Sequence, residues 1–572
     1  MWYYIHTWIW VIVAAVIPPF FMGSPGNNML VNNVKGVLLG IWRQYLRSKC
    51  QYDKQDGKWP VASRKARTYS YANDGSGIDL DTPCMGMVGT HFSRMCPNTM
   101  NFERKDNPPA VDVANKLLTR HKFKPQSNMS QLAVAWIQFQ LHGWINHGTF
   151  DFKKTLKLET CPFKVPKTPN QVTLSDGSKA YTNTNGPWWD MRQLYGGVSF
   201  ERPDKIMHVR TGKRGHIYPS KIAFDTNVWP GLALMHKLWS LEHNRVCNQF
   251  HRMYPAWSDE ELFEHARLCI TAVNVKIHVS EWSVVINYGK VNKKGGRINW
   301  FGLFDDTVPF RHVLNSAVTK MSGIESRAHD KKPYNHHGSP YSVSEEFVSA
   351  YRMHELVADS IKVVERDGKV TKHSLKDVLF GKASGLVEKQ MEALIRGLGQ
   401  QAAGQFEVNN FPNALRKLKL QNGHTIDLAV VDIIRDRERG VAAYNDLRES
   451  MGLARLTFEQ LAGHHGSSFV NDLKALYHND VDLISSFIGM RIEPKADNFL
   501  FGETARGVFL LHSSRRVHSN RFLCEDFTPE VYTQWGIDYV DRTTFRDVVI
   551  SHFPALKPEF DSVHNGFFQW KL

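Results

Sequence analysis

The chain has 572 residues, of which 42% are hydrophobic and 12% aromatic, and a formal net charge of +15. So much apolar surface excludes a mostly disordered chain, and the length admits one large catalytic core or several domains. The positive charge is diffuse, with no dense Lys/Arg run, zinc-finger spacing or aromatic RNP-type strand, so it points to a basic surface or attraction to a membrane and away from nucleic acid.

Met1 to Phe21 contains no Asp, Glu, Lys or Arg, and Trp8 to Ile17 is an unbroken apolar run that Pro18-Pro19 ends. Ten apolar residues are too few to span a bilayer, which takes about 20. The next stretch carries Leu30, Val34, Val37, Leu38, Ile41, Trp42 and Tyr45 at helical spacing, with Lys35, Arg43, Arg47 and Lys49 among or after them. This pattern predicts residues 1–60 to be a segment that lies on a membrane interface, or else a helix docked on the body, ahead of a catalytic domain over 61–572. Seven cysteines lie far apart with no CxxC pair, and build neither a disulfide scaffold nor a thiolate metal site.

Residues 50–125 are turn-rich, with Asn73-Asp74-Gly75 and Asn107-Pro108-Pro109 as the clearest breaks, and are expected to be loops. From about residue 129 helical periodicity dominates, which predicts a mostly α body with helices near 130–147, 230–252, 258–287, 342–358, 426–450 and 501–518. Alternating strand patterns are scarce, and there is no internal repeat or clear linker.

Two segments carry chemistry. In the first helix Gln138 and His142 are i, i+4 on one stripe, where an imidazole could act as a base and an amide could orient a ligand. In the run from Ser342 to His354, Ser342 and Glu345 have capping-box spacing, and Phe347, Tyr351 and His354 follow at i, i+4, i+7 on one helix face. A histidine beside a tyrosine suits a metal ligand next to a redox-active phenol. Taken alone, each segment reads first as ordinary core packing.

Together they resemble the peroxidase–cyclooxygenase superfamily, and most closely its fatty-acid α-dioxygenases. Tyr351-Arg352-Met353-His354 is similar to the proximal motif of that family, and the segment around His142 to its distal helix. Further segments follow in the family's order: Asp81 to Thr90, Leu238 to Arg245, Ile277 to Ser283, Arg435 to Val441 with Tyr444-Asn445, Ser514 to Arg516, and Asn520 to Phe522. The resemblance covers about residues 66–555. It implies a large helical haem-peroxidase-like body that binds haem b, with His354 as proximal iron ligand and His142, with Gln138 beside it, on the distal side. Tyr351 is the residue implied to become a radical that takes a hydrogen from the α-carbon of a long-chain fatty acid, after which O₂ adds to give a 2-hydroperoxy acid. His278, Ser283 and Arg515 or Arg516, with Arg516 favoured, are implied to hold the substrate carboxylate. On an ideal helix 278 and 283 lie about 140° apart, so regular spacing does not converge them.

The chain also departs from the pattern. Relatives hold calcium with an aspartate after the distal histidine and a Thr-x-Trp-x-Asp-x-Ser loop. Here Gly143, Gly186 and Arg192 replace three of those positions and leave Trp188 and Asp190, too few oxygen ligands for calcium, with Arg192 placed to pair with Asp190 instead. Positions where halide-oxidising relatives attach haem through esters hold Leu141 and Val228, so haem is expected to be non-covalent. Asp432 stands where a partner of the proximal histidine is found in the motif. The other readings are a haem peroxidase or lipid dioxygenase of different regiospecificity, and a lipid-binding haem protein without turnover.

Overall fold

In the computed structural model the described residues are 69–96, 106–196, 208–220, 229–286 and 342–571, apart from a few single positions and pairs within them, together with Leu46, Trp300, Phe301 and Val313. The expected membrane-facing segment at 1–60 lies outside them except for Leu46, as do Asp81 and Val228. No described helix is long and apolar enough to cross a membrane.

Helices dominate, and the described strands form five two-stranded antiparallel sheets. Helix α1 (Ala110–Leu117) is a correction to the expected loops: Ala110, Val113, Ala114 and Leu117 recur at helical spacing and all four are buried. Strand β1 (Pro125–Ser130) then leads into α2 (Gln131–Trp144), whose residues are buried nearly all round. A helix so apolar must be central rather than amphipathic. At its start Gln131 donates to the carbonyls of Leu356 and Ala402 at 2.9 and 3.0 Å, fixing α2 against the segment after His354.

The long helices α3 (Pro230–Met253) and α4 (Asp259–Ile277) pack as an antiparallel hairpin, with a Ser258/Glu261 capping box starting the second. On α3 the buried Glu242 accepts from Arg245, from Tyr539 and from His552. Burial would raise its pKa, but those donors outweigh burial and hold it near 2. The carboxylate thereby ties α3 to the C-terminal helices Gln534–Arg542 and Phe545–His552.

The predicted helix 258–287 is interrupted by a π turn at His278–Trp282, after which α5 (Ser283–Ile286) resumes. The predicted helix 342–358 is shorter. Helix α6 (Glu345–Tyr351) starts at Ser344, whose hydroxyl accepts from the Phe347 N–H at 3.1 Å, so the cap is Ser344 and not Ser342. It ends at Tyr351, and His354 opens a separate 3₁₀ turn, His354–Leu356.

Strand β2 (Ser360–Val364) pairs with β3 (Val370–Ser374), and β4 (Ala402–Gly404) pairs with β1. The predicted helix 426–450 is two, α7 (Leu428–Glu438) and α8 (Tyr444–Ser450). Gly440, at φ 67°, lets the Val441 and Gly440 N–H groups bond back to the Asp436 and Arg437 carbonyls at 2.9 and 3.2 Å, a Schellman closure that ends α7. Helix α9 (Glu503–Ser513) and the short α10 (Arg515–His518) replace the predicted 501–518.

Candidate active site

A cavity of about 290 Å³ opens between α2, the His354 turn and the start of α7. Val134, Ile137, Leu141, Leu379, Phe380 and Leu428 are among its apolar walls, and Gln138, Tyr351 and His354 face it together. Of the residues expected on the two sides of haem, Gln138, Tyr351 and His354 line this cavity and His142 is not among its lining residues, and the geometry that joins Tyr351 to His354 differs from the expected one. Tyr351 and His354 do not share a helix face. Arg352 has φ −73° and ψ 63°, and the Met353 N–H bonds to the Tyr351 carbonyl at 2.8 Å, an inverse γ-turn that reverses the chain between them. Arg352 is held there by Asp436 at 2.9 Å, and Asp436 also accepts from Ser349 Oγ at 2.7 Å and the Phe487 N–H at 3.1 Å.

His354 Nδ1 lies 2.9 Å from Asp432 Oδ2, on α7. An Nδ1–H donated to a carboxylate orients the ring and leaves Nε2 as the lone-pair nitrogen for a metal bond. With the apolar walls around it, this donor set fits haem: His354 would supply the iron ligand and the aliphatic side chains would enclose the macrocycle. Leu141, on that wall, carries no group able to form an ester.

Gln138 Oε1 accepts from the Trp229 indole N–H, which sequence reasoning did not anticipate because Trp229 lies far away in the chain. His142 has open space beside its ring, and the protein packed around it desolvates the imidazole and pulls its pKa down to about 4. At neutral pH it is therefore a proton acceptor. Tyr351 packs on Phe347 with ring centroids 4.2 Å apart and lies 6.1 Å from Phe509; burial pushes its pKa far up, partly offset by Arg516, so the phenol keeps its proton.

The second cluster adjoins the first. Arg516 is buried, its guanidinium 3.8 Å from the Trp144 ring centre and 5.4 Å from Phe347, and Nη1 donates to the Pro187 carbonyl at 3.3 Å. His278 is buried among four tryptophans. Trp282 stacks on it at 4.6 Å, Trp189 and Trp144 present edges at 4.8 and 5.7 Å, and Trp136 Nε1 lies 3.2 Å from its Nδ1. Burial, and then the Arg516 charge, lower the His278 pKa strongly, so the ring is neutral. The π turn removes the objection from regular helix geometry. The Ser283 N–H bonds to the His278 carbonyl, and an i→i+5 bond stacks residue 283 one turn above 278 instead of on the far side. Ser283 is likewise buried. The Arg515 side chain lies outside the described ones.

Asp190 pairs with Arg192, 2.9 Å from Oδ2 to Nη2, and its Oδ1 accepts the Arg192 N–H at 3.1 Å. Beside it, a Cβ on Gly143 would stand 2.1 Å from Gln193 Oε1, so the position after His142 has no room for an acidic side chain without moving Gln193.

Comparison with known proteins agrees with this geometry. The animal haem peroxidase family description matches residues 70–563. An α-dioxygenase of Oryza sativa is 32% identical over 537 residues, covering 87% of this chain and 85% of its own. The crystal structure of an Arabidopsis thaliana fatty acid α-dioxygenase superposes with a TM-score of 0.86 at 27% identity, over 99% of this chain and 92% of that one. A variant of the Oryza sativa fatty acid α-dioxygenase crystallised with palmitic acid gives 0.83 at 26% identity, over 99% and 97%. The chain belongs to the animal haem peroxidase family, in its α-dioxygenase branch.

Proposed function

We propose that the chain is a haem-dependent dioxygenase that adds O₂ to the α-carbon of long-chain fatty acids. The observation that carries this reading is that buried Arg516 packs on Phe347, against which Tyr351 lies, and on Trp144, against which His278 lies. A carboxylate on Arg516 would lie next to the phenol, and the carbon nearest a carboxylate is the α-carbon.

Non-covalent haem b, held by His354, supplies the one-electron oxidation that starts the cycle. The chain's own groups do the rest. An activating peroxide is the oxidant that starts the cycle, and His142, with Gln138 beside it, passes a proton from one peroxide oxygen to the other. The Tyr351 phenol gives up its hydrogen, and the phenoxyl removes one hydrogen atom from the α-carbon, becoming phenol again. O₂ adds to the carbon radical, and the peroxyl takes a hydrogen atom back from Tyr351. The sum is one fatty acid plus one O₂ to one 2-hydroperoxy acid. Arg516, His278 and Ser283 orient the carboxylate, and a guanidinium fork suits both of its oxygens.

Haem-loaded protein given palmitate and O₂ is expected to yield the 2-hydroperoxide by mass spectrometry; oxygen on another carbon, or no lipid oxidation, defeats the reading. Arg516→Gln is expected to raise KM for palmitate about 10- to 100-fold, the loss of one charged hydrogen bond. Arg516→Lys, which keeps the charge, should lose less.

Two finer proposals accompany this one. The Arg192–Asp190 pair stands in for calcium, since Asp190 already has a cation and Gly143 offers no ligand. Mass spectrometry finding one equivalent of calcium per chain would overturn it. The uncharged run Trp8–Ile17 and the amphipathic stretch after it attach the enzyme to a membrane surface, where its substrate dissolves.

A further inference from the structure

His278 has a neighbour whose chemistry is one-sided. Trp136, on α2, brings its indole Nε1 to 3.2 Å from His278 Nδ1. An indole nitrogen only donates, so a hydrogen bond at that place requires a lone pair on Nδ1. The hydrogen of a neutral imidazole must then sit on Nε2. Nothing nearby favours a second proton. Among the described residues the ring is boxed by Trp136 and Trp144 of α2, by Trp189, and by Trp282 of its own turn, and the charged group that faces it is the cation Arg516.

We propose that Trp136 is a positioning residue that locks His278 as the neutral Nε2–H tautomer, so that the substrate carboxylate meets one fixed charge, on Arg516, and one neutral N–H donor. This rests on His278 and Arg516 being the carboxylate site. Trp136 itself touches no substrate; it acts through the ring it faces. A protonated His278 would turn an N–H toward the Trp136 N–H and leave both without an acceptor. The lock also keeps the donor pointed one way, because an Nδ1–H tautomer would put the ring hydrogen on the wall and offer the carboxylate a lone pair. Binding of the fatty-acid anion then needs no proton from the protein, and its affinity does not follow a histidine titration.

The test keeps the shape of Trp136 and removes only its N–H. Trp136 is replaced by 3-benzothienylalanine, an isostere with sulfur in place of the ring nitrogen, with Trp136→Phe as a second variant. Binding of decanoate to haem-loaded protein is followed by titration calorimetry near pH 7, well above the carboxylate pKa range, in buffers of different ionisation enthalpy. A Tyr351→Phe background in all samples prevents turnover. The parent is expected to take up no proton on binding. The isostere is expected to take up a proton, rising toward about one per site as the pH is lowered, with affinity tightening in step. Affinity that depends on pH only in the variant is a signature that a packing defect would not give. Proton uptake by the parent, or an isostere that matches the parent in both uptake and affinity, overturns the proposal. Arg516→Gln and His278→Ala serve as separate controls. If both leave decanoate affinity unchanged, the carboxylate is held elsewhere, and the function reading falls together with the lock. If both weaken binding while the isostere changes nothing, the lock alone is wrong.

Discussion

Haem added to the His354→Ala protein is expected to give no stable Soret complex, whereas the unaltered chain titrates to one equivalent. Among the described residues that line the cavity, His354 brings the only imidazole, and its ring is fixed by Asp432 at 2.9 Å. Asp432→Asn is the graded companion. It keeps a hydrogen-bonding group in place but removes the carboxylate that raises ligand basicity, and haem affinity is expected to drop about 10- to 100-fold. The two variants separate ligand loss from unfolding, because Asp432→Asn disturbs no apolar wall. A Soret band unchanged in His354→Ala would remove the iron ligand from the scheme, and with it the assignment of this cavity.

Tyr351→Phe is expected to abolish α-oxygenation while leaving the haem spectrum intact. The substitution removes one oxygen that faces the cavity and keeps the ring that packs on Phe347 and Phe509, so the fold has little reason to change. In the proposed scheme the Tyr351 phenoxyl is the group that takes the hydrogen atom, so its loss would stop the reaction. Oxygen uptake with palmitate should fall to the background of haem alone, and fatty-acid binding should persist. Full activity in the variant would mean that another group abstracts the hydrogen.

The residues of the first cluster stand out in the sequence as two segments, those of the second are picked out only by the family resemblance, and the geometry of neither is legible. The helix at Gln131–Trp144 announces itself by an apolar run, and the Gln138/His142 pair follows from its period. The reversal after Tyr351 has no local signature. It depends on Arg352 reaching Asp436 on α7, and on the Arg352 carbonyl accepting from Arg491, contacts made by residues 84 to 139 positions away. The π turn at His278 is hidden likewise, since one extra residue in a helical turn leaves the hydrophobic pattern nearly unaltered. Ideal-helix angles therefore hold Ser283 and His278 apart, and it takes the i→i+5 bond to bring them onto one side. Ser342 has the right spacing to Glu345 for a capping box, yet the Glu345 carboxylate is spent on His147 at 3.0 Å and Ser344 takes the cap. Trp136 and Trp229 give no warning at all, because an indole in an apolar run looks like core until its N–H is seen to have a histidine or an amide in front of it.

Ending one helix at Tyr351 and opening another turn at His354 gives the imidazole and the phenol separate mountings. The imidazole is braced by α7 through Asp432, while the phenol is braced by Phe347 within its own helix and by Phe509 of α9. A displacement of the imidazole would be taken up by the three-residue turn and the carboxylate behind it, and need not drag the aromatic ring of Tyr351. The two can accordingly be tuned apart: changes behind Asp432 would act on the His354 ring, and changes on α9 would act on the Tyr351 ring.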